Sequence, residues 1–98
     1  MQRTVTHPSL KPQKAFVLIK TDPGKERDVA DRLAKLPEVK EIHIITGEWD
    51  ILAVIETEKE LILPSDEKVL ELVMDKITTI PHLRDTNTMI PSFSRYKT

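Results

Sequence analysis

The feature that most constrains this 98-residue chain is a motif written twice. Leu36-Pro37-Glu38-Val39-Lys40-Glu41 and Ile80-Pro81-His82-Leu83-Arg84-Asp85 lie 44 residues apart and share one pattern. An aliphatic residue precedes a proline, another follows two places later, and a basic and an acidic residue come next. Upstream, Val29 and Leu33 correspond to Val73 and Ile77 at the same offset. Proline lacks the amide hydrogen a helix needs and clashes with the preceding turn, so each copy predicts an amphipathic helix that stops and hands over to a strand. With a strand before each helix, the order becomes βαββαβ.

The rest of the chain fits that order. Ala15 to Lys20 is a short apolar run and reads as the first strand. Asp22-Pro23 follows as a helix N-cap with proline at the first helical position. Val29, Leu33 and Leu36, flanked by Ala30 and Ala34, share one helical face, while Arg27/Asp31, Asp28/Arg32 and Asp31/Lys35 form i,i+4 pairs on the wetter side, up to Pro37. Strands are expected at Val39 to Ile45 and Ile51 to Thr57. Ser65 is the expected cap of a second helix, with Asp66 and Glu67 in its first turn. Val69, Val73 and Ile77, and beside them Leu70 and Met74, recur at i,i+4 until Pro81. Leu83 to Ile90 completes an α+β sandwich of the split βαβ kind, a four-stranded antiparallel sheet with two helices on one face.

A sheet with one wet face alternates apolar and polar residues. Phe16, Val17, Leu18 and Ile19 are apolar at both parities, as are Ile51, Leu52, Ala53, Val54 and Ile55. Both faces must then be buried, and one short chain has no second layer to spare. The expectation is a two-fold homodimer packed sheet to sheet, burying on the order of 800 Å² per partner.

Charge and composition narrow the function. Residues 1–14 carry Arg3, Lys11 and Lys14, and residues 91–98 carry Arg95 and Lys97, with no acid in either tail. The chain nets -1 in all, so the five tail cations leave residues 20–85 at -6. An acidic body repels phosphate, which argues against specific DNA binding by the domain itself. The absence of cysteine removes disulfides and thiolate metal sites. His7, His43 and His82 have no partner at ligand spacing, so no metal site is expected. No catalytic constellation or phosphate-holding glycine loop stands out, and the chain is expected to be non-enzymatic and free of cofactors. No apolar run is long enough for a membrane span, which makes a cytoplasmic protein the default. The expected organisation is a basic, disordered tail over 1–14, one domain over 15–91, and a C-terminal tail over 92–98.

Function concentrates in Thr46-Gly47-Glu48-Trp49-Asp50, a tight connection between two apolar strands that holds the only tryptophan. Gly47 supplies the positive φ such a loop requires. A free amino acid carries an ammonium and a carboxylate on one carbon, so its receptor needs an acceptor carboxylate beside neutral donors. Asp50 can pair with the ammonium, and amides around Gly47 and Glu48 can receive the carboxylate. Thr86 and Thr88, two apart on the last strand, present two hydroxyls on one face. Thr46 is a wall residue, and Trp49 serves a subunit interface or the pocket wall.

Ala15 to Lys20, Pro23-Gly24-Lys25-Glu26, Leu36 to Glu41, Thr46 to Asp50 and Lys76-Ile77 through Thr86-Asn87-Thr88-Met89-Ile90 together resemble the effector-binding RAM domain of Lrp/AsnC transcription regulators. The resemblance covers about residues 15–91. It implies a ferredoxin-like fold, dimers through the sheets, assembly into tetramers, octamers or rings, and a free amino acid effector. It also implies that Thr86 and Thr88 approach the Gly47 loop across a subunit contact. Trp49 stands where the family often has tyrosine, and the stretch from Glu58 to Pro64, with Leu61-Ile62-Leu63, is longer and more apolar than usual. Full-length relatives carry a helix-turn-helix domain, whereas fourteen residues before the first strand are too few for one, so the chain reads as a stand-alone module. Two functions fit: an effector-binding and oligomerisation module, or a ligand-independent assembly module that joins full-length DNA-binding relatives.

Overall fold

The computed structural model describes residues 12–58 and 65–97. The elements are β1 (Gln13–Thr21), α1 (Glu26–Leu33), β2 (Val39–Ile44), β3 (Ile51–Thr57), α2 (Ser65–Leu72), which runs on as a π-helix over Val73–Ile77, and β4 (Leu83–Met89). The four strands form one antiparallel sheet in the order β2-β3-β1-β4. This is the βαββαβ sandwich expected from the doubled motif. The likeness between its two halves extends to the backbone: Val39 N donates to Leu36 O at 3.1 Å, and Leu83 N donates to Ile80 O at 3.3 Å.

The core lies between the helices and one sheet face. Ala15, Val17 and Ile19 of β1 and Ile51, Ala53 and Ile55 of β3 are fully buried against Val29, Leu33, Val69, Val73 and Ile77. The row Val69, Val73, Ile77 steps by four residues every time. In an α-helix of 3.6 residues per turn that row drifts round the axis, and a wider turn keeps it pointing inward. The backbone takes the wider turn, with Thr78 N donating to Val73 O at 2.9 Å. The parallel row fares differently, since Leu70 and Met74 are exposed.

The start of α1 departs from expectation. Asp22-Pro23-Gly24-Lys25 is a turn in which Lys25 N donates to Asp22 O at 3.0 Å and Gly24 sits at φ 78. Proline at the second position and glycine with positive φ at the third define a type II turn. Asp22 is therefore a turn residue and no cap, and the helix begins at Glu26, after Lys25. The Asp22 carboxylate instead accepts from His82 Nδ1 at 3.2 Å and faces Arg84 Nε at 3.7 Å, tying this turn to the start of β4. β1 also starts two residues earlier than read, at Gln13. Residues 1–11, His7, the Leu61-Ile62-Leu63 stretch and the capping side chain of Ser65 lie outside the described residues.

The second sheet face has no covering layer among the described residues. Register places Phe16, Leu18, Leu52 and Val54 at its centre, with Lys14, Lys20, Glu41, His43, Glu56, Asp85, Asn87 and Met89 around them. Phe16, Leu18 and Leu52 are only half-buried.

Candidate functional site

The loop from Thr46 to Asp50 joins β2 to β3 at the sheet end where β1 finishes and β4 begins. Its closure is set by Asp50. The Asp50 carbonyl accepts from Ile45 N at 2.9 Å, and its amide donates to Ile19 O at 2.9 Å. Its carboxylate Oδ2 accepts from Thr21 N at 2.9 Å. Asp50 thus fastens the loop to β1, and its other oxygen accepts no hydrogen bond among the described residues. This structural duty is more than the sequence assigned to it.

Gly47 adopts φ 126, as the tight connection requires, and a Cβ there would meet only open space. Its role is backbone freedom. The amides of Gly47 and Glu48 have no hydrogen-bond partner among the described residues, and Thr46, Gly47 and Glu48 are all exposed. An amide without a partner that faces solvent is available to an anionic group. Trp49 is half-buried, with Lys20 Nζ 5.4 Å from its ring centroid. Lys20 belongs to the open sheet face, so Trp49 stands at the rim of that face and beside the loop amides.

Thr86 and Thr88 lie elsewhere. They pair with Ile19 and Val17, so they share the helix-covered side, half-buried on the edge strand β4. Thr86 is level with Ile51 but separated from it by β1, two strand spacings or roughly 10 Å away. Within one chain the loop and the threonine pair share an end of the sheet without meeting. Thr86 N donates to Asp85 Oδ1 at 2.8 Å.

Sequence reading missed Thr21 and gave other roles to Asp22, His82 and Arg84, the residues that hold this end together. His82 adopts φ 71, unusual for a non-glycine residue, and its carbonyl accepts from Asp22 N at 2.9 Å. The one available signal was that His82 occupies the position of Glu38 in the doubled motif.

At the opposite end of the sheet, Glu38 and Lys76 form a second polar node. Lys76 Nζ donates to Glu38 Oε2 at 3.0 Å. Burial works to raise the Glu38 carboxyl, but the Lys76 hydrogen bond, Glu38's own backbone and the charges of Lys76 and Lys40 outweigh it, holding the group below its ordinary value. Among the described residues, no three His, Cys, Asp or Glu side chains are grouped to hold a metal ion. No helix there is long and apolar enough to cross a membrane.

Comparison with known proteins places these features in a family. Residues 14–98 match the Lrp/AsnC ligand binding domain. An uncharacterised helix-turn-helix-type transcriptional regulator of Pyrococcus abyssi is 40% identical over 86 residues, covering 85% of this chain and 53% of that protein. The chain spans about half the length of the regulators it matches. Among solved structures, that of FFRP-DM1 superposes with a TM-score of 0.69 at 35% identity, over 81% of this chain and 97% of the other. A transcriptional regulator from Neisseria meningitidis, solved as its complex with L-methionine, gives a TM-score of 0.73 at 18% identity, over 100% of this chain and 62% of that one.

Proposed function

Because the chain belongs to the Lrp/AsnC family of transcription regulators, through its ligand-binding domain, we propose that it senses a small molecule, an amino acid, and converts binding into a change of assembly. The observation that carries this reading is the exposed pair of amides at Gly47 and Glu48, on a loop held rigid by Asp50 and flanked by Trp49. The amides suit a carboxylate, and the Asp50 oxygen that does not accept from Thr21 suits an ammonium. The Neisseria regulator binds L-methionine on the same fold. Thr86 and Thr88 belong to the same site when a neighbouring subunit brings its β4 to this loop, and Thr46 and Glu48 form its outer wall.

The assembling unit in this reading is a homodimer joined through Phe16, Leu18, Leu52 and Val54, and dimers associate further into a tetramer, octamer or ring. A ligand shifts that equilibrium only when it binds one assembly more tightly than another. The acidic body takes no direct part in DNA recognition in this reading, and the setting is cytoplasmic. The chain carries out no chemistry of its own.

Thermal shift and calorimetry against all twenty amino acids, on wild type and Asp50→Asn, test the proposal. A response to one or a few amino acids that is lost in Asp50→Asn supports it. Absence of a shift with every amino acid overturns it. The open apolar sheet face favours a second reading, an assembly module without a ligand, and that outcome together with recovery of a helix-turn-helix relative would favour it.

A further inference from the structure

Beyond Met89 the chain turns back to touch the sheet once more. Tyr96 comes back against β1, with Lys14 Nζ 4.4 Å from its ring centroid, and with Pro12, Lys14 and Glu56 it walls a surface cavity of about 350 Å³. Lys14 and Glu56 are directly paired across β1 and β3 on the open sheet face, one pair beyond the row that contains Phe16 and Val54. The cavity therefore continues the apolar face to its edge. The Tyr96 hydroxyl holds the Lys14 ammonium above its ordinary value against the opposing effect of burial, and Glu56 and Glu41 add to it. These groups form one electrostatic cluster at the rim.

Between the rim and β4 the segment is barely held. Apart from the Lys14–Tyr96 contact, residues 91–97 make no hydrogen bond or ion pair among the described residues. Phe93 is 74% exposed and Tyr96 69%, with the Arg95 guanidinium 5.6 Å from the Phe93 ring centroid. Two large aromatics and an arginine are the residue types that anchor protein interfaces, and they are costly to leave in water as a group. The segment brings Arg95 and Lys97 and no acid, while the nearest ionised groups on the open face include Glu41 and Glu56. A second copy seated on the open face would bring its own Glu41 and Glu56 as partners for these cations.

We propose that residues 91–97 are a strap that closes over a second copy of the chain seated on the open sheet face, with Phe93 and Tyr96 as its anchors. The strap rests on the sheet-to-sheet dimer proposed above and adds a separate element to it. Each copy lends its strap to the other, so the two-fold contact gains two clasps outside the apolar centre.

Sedimentation equilibrium on the full chain, wild type and the double variant Phe93→Ser/Tyr96→Ser, tests the strap. The expected result is a wild-type dimer and a dimer dissociation constant raised about tenfold or more in the variant, with an unchanged circular dichroism spectrum. A wild-type dimer whose dissociation constant is unaltered by the double substitution overturns the strap and leaves the sheet dimer standing. A folded wild-type monomer at micromolar concentration overturns both. The photo-crosslinking residue p-benzoylphenylalanine at position 93 supplies a second readout: covalent dimers support the strap, and adducts confined to the same chain overturn it.

Discussion

Asp50 combines two duties that a single substitution can separate. One carboxylate oxygen accepts the Thr21 amide, and the proposed ligand calls on the other oxygen and on the charge. Asp50→Ala leaves the Thr21 amide without its partner in a half-buried place, which costs about 1–3 kcal/mol. Asp50→Asn keeps an acceptor oxygen where Oδ2 stands, while it removes the charge and puts an NH2 donor in place of the other oxygen. The expected outcome in urea denaturation is a lowered midpoint for alanine and a midpoint close to wild type for asparagine. The asparagine variant also loses the amino acid response. If the two variants were equally unstable, the charge itself would be holding the loop, and the separation of duties would fail. At this scale the sequence was legible where chemistry is local. Gly47 was legible as a positive-φ residue because few side chains tolerate such a turn. Asp22-Pro23-Gly24 was misread because the same three letters fit a helix start and a type II turn, and the choice depended on His82 and Arg84, some sixty residues away. His82's own backbone had no marker, since the residue is not a glycine.

Between elements, the Glu38–Lys76 pair ties the π-helical turn after α2 to the entry of β2. The pair holds the Glu38 carboxyl below its ordinary value of 4.5. Its contribution to stability is therefore fully present above that value and is lost as pH falls through the lower folded-state pKa. Lys76 is half-exposed, which keeps the contribution below about 1 kcal/mol. Lys76→Met removes the partner and leaves burial as the main influence, so the carboxyl rises. The expected result is a small loss of stability near neutral pH and a flatter acid limb in urea midpoints measured from pH 7 to pH 3. An acid limb identical to wild type would show that the pair does not differ between folded and unfolded chains. The second helix was legible from its four-residue spacing, yet two rows had that spacing. Of the two rows, the one of Val69, Val73 and Ile77 faces the sheet, because Glu67, Glu71 and Asp75 flank Leu70 and Met74 and keep that row in water. The widening to a π-helix was present in the strict spacing of four but could not be told from an ordinary helix until the sheet set the direction of the core.

For the whole molecule, the doubled motif set the order of elements, and the apolar parity of β1 and β3 carried the signal for assembly. That parity pointed to a sheet face in need of a partner, and among the described residues nothing covers that face, where Phe16, Leu18 and Leu52 are left half-buried. The site was less legible, because the Gly47 loop leads into β3 while Thr86 and Thr88 lie on β4 with β1 between them, and no single-chain pattern encodes what a neighbour would bring. If folding and sheet-to-sheet association are coupled, stability depends on concentration by mass action. Each tenfold rise in concentration stabilises the dimer by about 1.4 kcal/mol, which for some two hundred residues unfolding together raises the thermal midpoint by about 3–6 °C. Leu18→Asp places a charge at the centre of the open face and leaves the helix-side core intact, because Leu18 is on the opposite side of β1 from Val17 and Ile19. Its midpoint is expected to be lower and independent of concentration, while circular dichroism remains that of the folded domain. A concentration-dependent midpoint that survives Leu18→Asp would place the association on another surface, and the exposed Leu70–Met74 row of α2 is the next apolar surface to examine.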